Sequence, residues 1–135
     1  MPYKRIDIAL FITRIVFGSR LIYGTIDNII SWERMLEFKV FLDSNGFPFP
    51  LAAAIVSVYA QFIAGISWIV GYKIHFTVIL MMINFTIAIV GFHIVQSDTY
   101  LNTAPAIHLL CISILFYVTG AGQLSMDEKL NQKRS

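Results

Sequence analysis

The chain has 135 residues, of which 57% are hydrophobic and 13% charged, with a mean hydropathy of +0.71. Those values exclude an ordinary soluble domain and a disordered one, because so few charges cannot coat a water-facing surface, and lipid becomes the matching solvent. The net charge of +2 comes mainly from residues at the chain ends and beside apolar blocks, which excludes a nucleic-acid interface, and the single cysteine, Cys111, excludes an internal disulfide or a dithiol relay.

Four apolar blocks of about 20 residues, the length that crosses a hydrocarbon core of about 30 Å, organise the chain. The first runs from Ile8 to Ile30 and ends in Trp32-Glu33-Arg34 with no small-residue cleavage pattern, so it reads as a retained span and not as a signal peptide. It carries Arg14, Arg20 and Asp27. Arg14 lies in the half nearer the N-terminus, where snorkelling to headgroups gives it a structural role. Arg20 stands near mid-depth, where an ionisable group points to function. At 100° per residue Arg20 and Asp27 lie about 20° apart in direction and about 10 Å apart along the axis, so they share one face of a predicted pocket without touching directly.

Between Ser31 and Pro50, Trp32, Leu36, Val40 and Phe41 recur near helical spacing among charged residues, which predicts an amphipathic helix lying in the outer interface. Asn45-Gly46-Phe47-Pro48-Phe49-Pro50 ends it, with the prolines predicting extended backbone before the second block. That block, Leu51 to Val70, lines up Ala53, Ser57, Ala60, Ala64 and Gly65 as a small-residue packing face and places Gln61 at its centre. Gly71-Tyr72-Lys73-Ile74-His75 is short enough to make the second and third blocks antiparallel neighbours. The third block, Phe76 to Val95, carries Asn84 and His93; the fourth, Leu101 to Thr119, carries Pro105, His108 and Cys111. Beyond it Gly120 and Gly122 stop the helix, and Ser125 and Asp127 offer acceptors to neighbouring loops.

Counting from the block midpoints puts Arg20, Gln61, Asn84 and Cys111 at one depth, with Asp27, Asn28, Ser57, His93 and His108 gathered nearer the outer side. That grouping predicts a polar pocket opening outward, in which Gln61 and Asn84 also serve as interhelical hydrogen-bonding partners. His93 and His108 on facing helices are the one pattern suited to haem, and nothing else here is haem-specific, so no metal and no intrinsic cofactor is expected. Lys4, Arg5, Lys73, Lys129, Lys133 and Arg134 flank one side of the blocks, which places both termini in the cytoplasm. The predicted architecture is a single all-α membrane domain: an antiparallel four-helix transmembrane bundle with an amphipathic outer segment between helices one and two.

Several elements resemble the DoxX family of small four-span bacterial membrane proteins, related to the DoxD subunit of thiosulfate:quinone oxidoreductase. They are Arg14, Gly18 and Gly24 in the first span, Asn45 to Pro50, Gly65 and Gly71 around the second, Gly91-Phe92-His93, and the tail from Gly120 to Asp127 with its Gly-Ala-Gly and Ser-x-Asp pattern. The resemblance covers nearly the whole chain and departs from the family at two positions, with Asp27 where a lysine is usual and Gln61 where a glutamate is usual. It implies the bacterial cytoplasmic (inner) membrane and a redox-associated subunit that contributes to a quinone or quinol site. Its partners are then the lipid bilayer and other membrane or redox subunits, with self-association as a further possibility and no nucleic acid. In that reading Arg20 and Asp27 line the pocket with His108, Gln61 and Asn84 hydrogen-bond a quinone carbonyl, and His93 exchanges a proton; no catalytic residue is assigned. The alternative is a non-catalytic scaffold or assembly factor that binds another membrane protein through the small-residue face and the outer segment.

Overall fold

Residues 5–94 and 100–134 are described by the computed structural model, without the side chains of 92–94 and 101–102. They form α1 (Arg5–Ile30), α2 (Trp32–Ser44), α3 (Pro50–Val70), α4 (Ile74–Ala88), α5 (Tyr100–Thr119) and α6 (Met126–Arg134), with a π-helical segment, Ile89–Ile94, continuing α4. No strand occurs among the described residues. Of the four expected spans, α3 and the Ile74–Gly91 stretch are each long and apolar enough to cross a membrane. α5 runs 20 residues and includes the apolar stretch Thr103–Thr119, and α1 has the length but carries Arg14, Arg20 and Asp27.

α1 buries Asp7, Leu10, Arg14, Gly18, Leu21 and Thr25. Steps of three and four residues put these on one stripe, and α1 lays that stripe largely against α3. The two helices meet backbone to backbone at one point. A methyl added to Gly18 would lie 2.7 Å from the Gly65 carbonyl oxygen, and one added to Gly65 would lie 2.7 Å from the Gly18 carbonyl oxygen. Lipid offers no hydrophobic drive for helix association, so this mutual absence of side chains supplies the close packing instead. Of the small-residue side of α3, Ala64 and Gly65 are buried within the chain and Ala53, Ser57 and Ala60 are half-buried.

α2 begins directly after α1, with Ser31 as its N-cap; the Ser31 hydroxyl accepts from the Arg34 amide at 3.4 Å. Its inward side is Met35, Leu42 and half-buried Phe38, packed on Ala54 and Val58 of α3. Trp32, Leu36, Val40 and Phe41, the expected apolar face, are exposed. What the spacing does not reveal is the second apolar side, Met35, Phe38 and Leu42, that faces α3. The corner to α3 also departs from the extended backbone expected before Pro50: Phe49 is left-handed, with φ of 50°. Its carbonyl accepts the Ala53 amide at 2.9 Å, and this first turn of α3 holds a conformation that costs a non-glycine residue roughly 1–2 kcal/mol.

α3 stops at Gly71, whose φ of 78° lets its amide reach the Ser67 carbonyl at 2.7 Å. Two more residues return the chain as α4 against α3, and α5 packs on α4. The main core joins all four long helices through Leu10, Leu21, Trp68, Val78, Met81 and Phe116, with Trp68 and Phe116 edge to face at 5.2 Å. Beyond α5 the chain turns at Gly120 and Gly122, both with positive φ, and forms α6, a short polar helix that the sequence reading left as a tail.

Candidate functional site

Between the main core and the α2–α3 cluster lies a cavity of about 600 Å³. Leu21, Phe85, Ala106 and Leu109 come from the main core, and Phe38, Phe41, Leu42 and Phe47 cover the opposite side. The α2–α3 corner thus does more than redirect the chain: its rings form a wall. Polar groups reach the cavity from three helices, as Arg20 of α1, Ser57 and Gln61 of α3, and Asn84 of α4.

Three of these form a directed chain. The Gln61 amide nitrogen donates to the Ser57 hydroxyl at 3.0 Å, and that hydroxyl donates to Asn84 Oδ1 at 2.8 Å. Ser57 and Gln61 are one turn apart on α3, so one face of that helix presents both. With the Asn84 oxygen already accepting, its Nδ2 hydrogens remain available to a ligand, as does the Gln61 oxygen. The depth count grouped Ser57 with the outer residues, yet its four-residue offset from Gln61 was the signal that the two act together.

Arg20 makes no hydrogen bond or ion pair among the described residues and is exposed along the cavity. Its guanidinium lies back along α1 over Gly24, where a methyl would come within 2.7 Å of Arg20 Nη1. Gly24 thereby gives the side chain its resting place. Asp27 and His108 are exposed and fall outside the cavity lining, as does Cys111. The His93 side chain lies outside the described residues.

At the other end of the bundle Arg14 is fully buried, not snorkelled to headgroups. The stripe that carries it faces α3, so its guanidinium is satisfied by carbonyls: Nη1 donates to Trp68 O at 2.9 Å and Nη2 to Leu124 O. It also stands over the Phe11 ring at 5.7 Å. Asp127 accepts from the Lys73 and Ile74 amides at 2.7 and 3.1 Å, capping α4 from 54 and 53 residues away, while its own amide donates to Gly71 O at 2.9 Å. Ser125 donates to Gly122 O at 2.7 Å and accepts from the Glu128 amide at 3.3 Å, capping α6. Asp7 accepts from the Gln123 amide at 3.0 Å. The segment after α5 is thus tied to α1 and to the α3–α4 turn.

Helices of membrane-crossing length, an apolar interior and a cavity with a short polar rail define a small all-helical membrane protein with a ligand-sized hollow. The DoxX family model matches residues 9–94, more than half of the chain, and the chain belongs to the DoxX family. Comparison with curated proteins and with solved structures returned no match.

Proposed function

We propose that this protein is a redox-associated subunit of a bacterial inner membrane whose cavity holds a quinone or quinol ring. In this reading α1, α3, α4 and α5 all cross the bilayer as an antiparallel bundle, α2 lies at the outer interface, and both termini are cytoplasmic. The observation that carries it is the Gln61–Ser57–Asn84 rail inside an otherwise apolar hollow. Its volume of about 600 Å³ falls in the range of small-molecule sites, roughly 300–1,000 Å³. A flat ring with carbonyls on its edge suits such a place: aromatic and aliphatic walls take the ring, while Asn84 Nδ2 and Arg20 take its oxygens. Asp27 and His108 have no part in it, since neither lines the hollow. Other redox subunits supply and remove the electrons, because this chain offers one cysteine and no assigned redox group.

The scaffold reading is weakened by the use of the α3 small-residue face within the chain itself. Tagged protein purified in mild detergent is expected to retain quinone in its lipid extract, in near-stoichiometric amount. Asn84→Leu, which keeps the volume but removes the donors, should lower that amount about tenfold, the cost of one lost hydrogen bond to a buried oxygen. A wild-type preparation free of quinone overturns the proposal.

A further inference from the structure

The charge of the cavity wall carries the proposal one step further, and the step rests on the reading above. Among the described residues that line the hollow, Arg20 is the sole ionisable one; no aspartate, glutamate, histidine, lysine or tyrosine joins it. Among the described residues Arg20 has no carboxylate partner elsewhere either, and Asp27 makes no ion pair with it. A guanidinium keeps its charge under all ordinary conditions. Placed beside a low-dielectric hollow with no counter-charge, it leaves the site with one uncompensated positive charge, and an anion entering there gains what a neutral ligand cannot.

We infer that the cavity prefers its ligand as an acidic amphiphile: an apolar body among the phenylalanines and an ionised oxygen on Arg20, next to the Asn84 donor. The same chemistry could be presented by an acidic ring compound or by the carboxylate of a fatty acyl chain. Gly24 has a defined part, since it lets the guanidinium lie along α1 beside the hollow.

The test uses the full chain in detergent and three probes: a 3-alkyl-2-hydroxynaphthoquinone ionised at neutral pH, its uncharged 2-methoxy counterpart, and palmitate. Binding is followed by quenching of tryptophan fluorescence for the ring compounds and by equilibrium dialysis for palmitate. The hydroxy compound is expected to bind about tenfold more tightly than the methoxy one, the scale of a charge-assisted contact with a guanidinium. Arg20→Gln should abolish that ratio by lowering hydroxy binding about tenfold more than methoxy binding, and Arg20→Lys should keep most of it. Equal binding of the two ring compounds, with Arg20→Gln silent, overturns this inference and leaves the quinone reading standing. Arg20-dependent palmitate binding with neither ring compound bound upholds the anion preference and overturns the ring. Failure of all three probes to bind overturns both.

Discussion

Arg14 and Arg20 are six residues apart on one helix, and the fold gives them opposite lives. Six steps of 100° turn one about 120° from the other, so a single buried stripe holds only one of them. Leu10, Gly18 and Leu21 extend the stripe through Arg14 and leave Arg20 off it. The positions 7, 10, 14, 18, 21 and 25 repeat with helical period, but Asp7, Arg14 and Thr25 among them are polar, so apolar spacing does not mark the stripe and the sequence points Arg14 at the headgroups instead. What was not legible is that carbonyls near residues 68 and 124 would meet the guanidinium, since nothing in a sequence reports where a distant backbone oxygen ends up. Arg14→Gln is expected to cost about 2 kcal/mol, because hydrogen bonds from a charged donor to two carbonyls are lost, and to lower the thermal unfolding midpoint in detergent. Arg20→Gln should leave that midpoint where it was. An equal drop in both variants contradicts the contrast drawn between them.

The α1–α3 pair shows how two helices associate where lipid competes with every apolar contact. Gly18 and Gly65 each occupy the space that the other's side chain would need, so the crossing tolerates enlargement poorly on either side. Gly18→Ala and Gly65→Ala are each expected to destabilise the protein by about 1–3 kcal/mol, the usual cost of overpacking, with the double variant departing from additivity. Gly91→Ala is the internal control: among the described residues no atom lies within 4 Å of a methyl there, and it should be nearly neutral. Thermal unfolding and gel-filtration profiles of the three variants check the set. The sequence displayed Gly65 as part of a small-residue face and Gly18 as a family match, but their meeting depends on how far α3 slides along α1, a quantity no local pattern encodes. The same blindness affected α2, where apolar residues on both sides hid which one faces α3.

Across the bundle the two ends differ in kind. One is a hollow with a polar rail and an unpaired guanidinium; the other is a dense set of caps joining the start of α1, the α3–α4 turn and the segment after α5. The apolar blocks were readable because lipid forces long uniform runs on the sequence. The link from Asp127 to α4 was not, since it joins residues more than fifty positions apart through the geometry of a turn. Asp127→Ala is expected to cost about 1 kcal/mol through loss of the α4 cap, and removal of residues 126–135 at least as much, both read as lower unfolding midpoints. If all four long helices cross the bilayer as proposed, epitope tags at the two ends should both resist a membrane-impermeant reagent in intact cells. Labelling of either tag refutes the both-ends-inside arrangement.

The cap that Asp127 supplies and the carbonyl that Leu124 lends to Arg14 are synthesised after all four long helices. Until the ribosome has delivered that stretch, the α3–α4 turn lacks two acceptors and the buried guanidinium lacks one. Consolidation of the α3–α4 turn therefore waits until residues 124–127 have emerged, and a nascent chain stalled before residue 124 should stay loose and protease-sensitive near that turn even with its earlier helices inserted.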